Sequence, residues 1–173
     1  MTLYDIDRKW SDRFIPEIQQ KVGPMLLVAS PFEIDAKEAS DLIVLKARDM
    51  RIAARVRRPG YIERYKYQFT VRSKRNNGAK TEMRKLIEGF ADWMLYGHSD
   101  EEEKRLAEWM LIDLNVWRAY LLERSYKNGW RTLVADEKGN TDKATQFMAF
   151  DVRSFPSEML IAGTIAEELR ETA

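Results

Sequence analysis

The chain has 173 residues, 45% of them hydrophobic and 33% charged, with a formal net charge of +1. That length and balance fit one soluble globular domain able to bury a core. There is no cysteine and His98 is the one histidine, which excludes disulfides, thiolate zinc sites, cysteine nucleophiles and multi-histidine metal centres.

Ile6, Trp10, Phe14, Ile18 and Val22 recur at helical spacing, so an amphipathic helix is expected up to Gly23-Pro24. Pro16 inside it predicts a kink, or a helix that begins there. Met25 to Ala29 reads as a short buried strand, and Pro31 to Ser40 as an acidic connection. Asp41 opens a second apolar run, Leu42 to Leu45, short enough for a strand buried on both faces. After a tight turn at Arg48-Asp49-Met50, Ile52, Ala54 and Val56 alternate with Arg51, Ala53, Arg55 and Arg57, the period of a strand that packs one face and displays arginine on the other. Arg58-Pro59-Gly60-Tyr61 fits a type II turn. A third strand then alternates Tyr67, Phe69 and Val71 against Gln68, Thr70 and Arg72. Two compact turns predict that strand 51–57 is central and pairs with both 41–47 and 67–72, in an antiparallel meander.

Beyond the Asn76-Asn77-Gly78 loop, Met83, Leu86, Ile87, Phe90, Trp93 and Met94 predict a helix over 81–96, capped by Gly97. His98 would then stand just past a helix C-terminus, where the dipole favours its cation. The run "AEWMLIDLN" reads as a buried strand in which Asp113 needs an arginine partner, and a short helix follows over 116–123. Residues 130–135 and 145–150 read as a hairpin around Lys138-Gly139-Asn140. Ser154-Phe155-Pro156-Ser157 supplies cap chemistry for a C-terminal helix bearing Met159, Leu160, Ile165 and Leu169. Trp93, Trp109 and Trp117 are spaced as core residues, whereas Tyr126 and Trp130 flank a glycine turn as candidate stacking platforms. The expected architecture is α/β (α+β), a single domain over 1–173. A central mixed sheet with an antiparallel meander is flanked by helices, the core spans about 6–114, and a hairpin and helix extend it over 115–173. The acidic N-terminus is unlike a signal peptide and no apolar run approaches about 18 residues, so a cytoplasmic protein is expected.

The near-zero net charge hides strong polarity. Residues 46–75 carry eleven Lys and Arg against two acids, while 1–45 have a net charge of −3 and 76–173 of −5. A local basic field attracts polyanions whatever the global charge. Arg51, Arg55, Arg57, Arg58, Arg72, Lys74 and Arg75 are therefore the expected nucleic-acid contacts, with Arg55 and Arg57 on the face of Arg51 and with Arg72 and Lys74 close by. A solvated surface paired to acids, or a docking face for an acidic protein, would read the same way.

The element order helix, strand, strand, strand, strand, helix, strand resembles the α-β-β-β-α-β core of the PD-(D/E)XK, or restriction-endonuclease-like, superfamily. Asp41 at the start of a buried strand resembles that family's first acid, and Glu17 its accessory acid. The resemblance implies a Mg²⁺ ion held by Asp41 and a second carboxylate, with a lysine orienting water. Where the family carries its (D/E)-x-K triplet, this chain has Arg55-Val56-Arg57. Arg57 can replace the lysine electrostatically, but Arg55 cannot bind the metal. The second ligand would have to be Glu17, Glu33 or Glu82, and the expectation is that these carboxylates do not converge with Asp41. The strings "RRPGY", "FTVRSKR" and "DWMLYGH" resemble those of phage or prophage proteins. The function expected is a nucleic-acid-binding protein of nuclease-like fold. The alternatives are a Mg²⁺-dependent nuclease with a degenerate site and a phage module that masks an acidic host surface.

Overall fold

The computed structural model describes residues 3–29, 42–44, 50–75, 78–127, 135–139 and 145–172. The chain divides into two compact units, 1–50 and 51–173. In the first, helices α1 (Leu3–Asp12) and α2 (Ile15–Val22) replace the single expected helix. Pro16 lies in the first turn of α2, where the amide it lacks would have no helical partner, so the helix begins there. Phe14, Ile18 and Val22 are buried, and Trp10 meets Phe14 edge-on at 5.2 Å. A 3-10 turn, Gly23–Leu26, leads into β1 (Leu27–Ala29), which pairs antiparallel with β2 (Leu42–Val44).

The second unit holds two sheets. The first has the order β3 (Ile52–Arg57), β5 (Trp93–Ser99), β6 (Leu106–Asp113), β9 (Leu160–Ala162). The second has the order β4 (Gln68–Arg75), β8 (Thr145–Asp151), β7 (Asp136–Gly139). The fold is mixed α/β, but the expected meander over 51–72 does not form. Strand β3 runs parallel to β5, with Ile52 opposite Trp93 and Arg57 opposite His98, and stands at the edge of its sheet among the described residues. Strand β4 pairs with β8 instead. The turn that should have joined them is real, with Gly60 at φ +84°, but it feeds a one-turn helix, α3 (Ile62–Tyr65), that carries the chain out of the first sheet. Residues 45–49 lie outside the described residues, and with them most of the expected pairing to 41–47.

Asp92 starts the parallel pair. Its carboxylate accepts the amide of Arg51 at 3.1 Å, its own amide donates to the carbonyl of Arg51 at 2.8 Å, and its carbonyl accepts the amide of Leu114 at 3.0 Å. The expected helix over 81–96 is therefore two elements. Helix α4 (Glu82–Ile87) is capped by the Thr81 hydroxyl and closes on Gly89 at φ +79°, and β5 follows. All seven residues of β5 are buried, so Trp93 and Met94 at its start continued the helical period by coincidence. Gly97 is not a helix cap. It sits mid-strand, where a Cβ would come within 2.9 Å of Leu106.

Strand β6 forms where expected but ends at Asp113, because Leu114 and Asn115 open helix α5 (Leu114–Lys127), which extends beyond the 116–123 foreseen. Asp113 is not paired to an arginine of β3; it caps α5 by accepting the amides of Asn115 at 2.7 Å and Val116 at 3.3 Å. The expected hairpin exists as β7–β8, but Lys138 and Gly139 lie in its first strand, and residues 130–134 and 140–144 are outside the described residues. Helix α6 (Thr164–Glu171) begins after β9, so Met159 and Leu160 precede it.

One hydrophobic cluster joins both sheets to α5 and α6. Phe69 stacks on Phe150 at 5.1 Å, and Trp117 meets Phe150 edge-on at 5.4 Å. Met94, Met110, Ile112, Leu160 and Ile165 complete it, and Trp93, Trp109 and Trp117 are all buried as expected. Gly163, at φ +124°, lets β9 and α6 close on β6: a Cβ there would overlap the Trp109 carbonyl oxygen and come within 2.8 Å of Met110 Cα. Gly163→Ala is expected to cost about 3 kcal/mol or more, combining backbone strain with overpacking. Urea denaturation measures this, and an unshifted midpoint would refute the packing.

Candidate nucleic-acid interface

The alternation of β3 turns Arg55 and Arg57 to one side, as expected, but that side is not an open display face. Arg55 Nη1 donates to the Thr70 carbonyl at 3.0 Å and to Glu82 Oε2 at 2.8 Å, and the same Glu82 oxygen accepts the amide of Arg72 at 3.0 Å. Arg57 Nε donates to the Tyr96 hydroxyl at 2.6 Å, and its Nη2 donates to Thr70 Oγ1. The Thr70 and Tyr96 hydroxyls lie 3.1 Å apart. Both guanidiniums thus reach from the first sheet to β4 in the second. Arg57 also sits 5.9 Å from the ring centre of Phe147 on β8.

The other expected contacts scatter. Arg51 is exposed, with its guanidinium 6.0 Å from the Phe90 ring. Arg58 is exposed and 3.5 Å from Glu103. The backbone amide of Arg72 meets the same Glu82 oxygen that Arg55 holds. Lys74 is exposed and has no carboxylate partner among the described residues. The side chain of Arg75 is outside the described residues, although its backbone closes β4 against Thr145. Asp41 and Glu33 also lie outside the described residues. Glu17 is 3.6 Å from Lys21 on α2, and Glu82 is held by Arg55 and the Arg72 amide. No group of three or more potential metal-ligating side chains occurs among the described residues, so they do not supply a carboxylate set fit for Mg²⁺.

A different cluster stands on α3. Tyr61 and Tyr65 are four residues apart, one helical turn, and their ring centres lie 6.2 Å apart. Tyr61 remains 45% exposed, with Arg57 5.8 Å from its ring centre. Arg64 and Lys138 lie 5.4 and 5.3 Å from the ring centre of Tyr65. Arg64 is exposed and, like Lys74, has no carboxylate partner among the described residues. The string Tyr61-Ile62-Glu63-Arg64-Tyr65 carried a usable signal, two tyrosines at helical spacing with a cation between them. The approach of Lys138 depends on β7 and was not readable.

A polar row runs inward from Arg57. Arg57, His98 and Glu108 are register partners on β3, β5 and β6 and so share one face. Glu108 accepts from the Thr164 hydroxyl at 2.6 Å and lies 3.2 Å from Lys66 Nζ. Lys66 also meets Glu168 of α6 at 2.5 Å, and Tyr67 donates its hydroxyl to Glu168 at 2.5 Å. The hydrogen bond from Lys66 holds Glu168 below the usual carboxylate range, and Glu168 in turn raises Lys66 and Tyr67. His98 is not the cation expected beyond a helix end. It is 1% exposed inside β5, and burial, helped by the Arg57 charge, lowers its pKa from 6.5 to about 4.

Comparison with protein-family models, with curated proteins and with solved structures finds no match. The geometry alone therefore bears on function. Among the described residues no helix is long and apolar enough to cross a membrane.

The depressed pKa of His98 has a measurable consequence. As pH falls from 6.5 towards 4, the unfolded chain takes up a proton that the folded chain refuses. The stability linked to this group is complete above that window and declines through it. Urea denaturation of wild type against His98→Phe should show this slope only in wild type between pH 6.5 and about 5, where ordinary carboxylates stay ionised. An equal slope in the variant would contradict the assignment.

Proposed function

We propose that this protein binds nucleic acid through the tyrosine and cation cluster of α3. The observation that carries the reading is the exposed Tyr61 beside Tyr65, with Arg64 and Lys138 at 5.4 and 5.3 Å from the second ring. Rings offer base stacking, and cations beside them meet the phosphates. Lys74 is a further exposed cation of the same unit. The arginines of β3 take a supporting role in this reading, because Thr70, Tyr96 and Glu82 already accept from Arg55 Nη1 and from Arg57 Nε and Nη2.

The restriction-endonuclease-like core belongs to the same proposal. Its support is element order: β1, β2 and β3 follow the N-terminal helices and α4–β5 comes later, although β1 and β2 pair in a sheet of their own and α3 and β4 intervene between β3 and α4. A working nuclease would need a second carboxylate beside Asp41. The two described candidates, Glu17 and Glu82, are engaged by Lys21 and by Arg55 with the Arg72 amide, which favours binding without cleavage.

The test is a set of binding titrations at several salt concentrations. Affinity should fall steeply with salt, because each phosphate neutralised releases condensed counterions. Arg64→Gln with Lys138→Gln should flatten the slope by about one unit for each phosphate that is no longer neutralised. Tyr61→Ala with Tyr65→Ala should weaken binding about tenfold or more and leave the slope unchanged. No binding of any DNA or RNA at low salt would overturn the reading and point to a protein partner.

A further inference from the structure

A second aromatic and cation cluster lies at the opposite end of β3. Phe90 is 50% exposed, Lys80 Nζ lies 5.1 Å from its ring centre and the Arg51 guanidinium 6.0 Å. Ile87, the residue that ends α4, is exposed nearby in sequence. The position of Phe90 is fixed on both sides. Its amide donates to the Lys85 carbonyl at 3.0 Å, and two residues later Asp92 is tied to Arg51. Lys80 is itself paired with Glu88, so its charge is partly compensated. Arg51 has no carboxylate on its side chain among the described residues; its guanidinium reaches only the Gly89 carbonyl, at 3.5 Å. An exposed phenylalanine flanked by two cations gains nothing for the core cluster, of which it is not a member. It does present a ring face with positive charge beside it.

The two clusters are related by the strand between them. Arg51 immediately precedes β3 and sits over Phe90, and Arg57 ends β3 and sits over Tyr61. Six residue steps of extended chain separate the two arginines by about 20 Å. We propose that Phe90 with Arg51 and Lys80, and Tyr61 with Arg64 and Lys138, are the two ends of one track for single-stranded nucleic acid. This inference rests on the nucleic-acid reading of the α3 cluster and adds the substrate class and the length of the site. A duplex keeps its bases stacked on one another and cannot offer them to side-chain rings; a single strand can stack one base at each end and run its phosphates between the cations. A stacked strand rises about 3.4 Å per nucleotide, so about six nucleotides match the separation of the two arginines.

The experiment measures affinities by fluorescence anisotropy for labelled oligothymidylates of about three and about twelve nucleotides, and for a duplex of the longer length. The longer single strand is expected to bind at least about tenfold more tightly than the short one and than the duplex. Phe90→Ala should cost the long strand about tenfold and the short one, which can use the Tyr61 cluster alone, much less. Arg51→Gln with Lys80→Gln, which leaves the ring in place, should flatten the salt slope for the long strand and guards against a folding defect in the first variant. If Tyr61→Ala with Tyr65→Ala weakens binding while neither the Phe90 nor the Arg51 and Lys80 variants do, the track is wrong and the α3 reading stands. Equal affinity for duplex and single strand also overturns the track. If no oligonucleotide binds wild type, both fail together.

Discussion

The arrangement of the second unit depends on two guanidinium groups crossing between sheets. Taking an arginine head out of water is costly unless its donors are met. Here Arg55 finds the Thr70 carbonyl and Glu82, and Arg57 finds the hydroxyls of Thr70 and Tyr96. Thr70 receives both arginines, so one residue of β4 is tied to two residues of β3 although the strands share no ladder hydrogen bond. The planar, permanently charged fork of arginine suits such a junction better than a lysine would. Its charge also constrains its neighbours. His98, the register partner of Arg57, is buried beside it and is held neutral over the physiological range.

That use of the β3 arginines explains why the surface chemistry lies elsewhere. Open to solvent at the two ends of β3 are two rings, Phe90 and Tyr61, each with an arginine over it, beside the exposed Arg51 and Arg58. The connector that carries Tyr61 and Tyr65 is anchored directly behind them. Lys66 and Tyr67 both engage Glu168 of α6, and Lys66 also reaches Glu108 on β6. A four-residue helix has little stability of its own, so these contacts with α6 and the first sheet hold it in place.

Much of the fold was legible where local chemistry and packing agree. Pro16 marked the start of α2, the run Ala107 to Asn115 marked β6 up to Asp113, and the turn at Arg58-Pro59-Gly60 was correctly placed. The errors have specific causes. Trp93 and Met94 continued the helical period of α4, and nothing local distinguishes a doubly buried strand from one more helical turn. The turn at Gly60 suggested a hairpin because the single helical turn after it is too short to show a period. The alternation of β3 did put Arg55 and Arg57 on one side, but that side, with Ala53, faces the core, whereas Ala54 on the side expected to pack is exposed. Thr70, Tyr96 and Glu82 make a polar lining that only the tertiary pairing assembles. The candidate site was legible in part. The excess charge over 46–75 was plain, but which of those cations stay open to solvent depends on contacts from β4, α4 and β7.

The central claim is that the β3 arginines join the sheets from within. Equilibrium urea denaturation of Arg57→Met tests it most directly, since methionine keeps much of the side-chain bulk and removes the charge and the donors. Loss of the two hydrogen bonds from a charged, partly buried donor predicts a destabilisation of about 2 kcal/mol or more, with a lowered midpoint. A midpoint equal to that of wild type would mean that Arg57 contributes nothing to the junction, and would contradict the account.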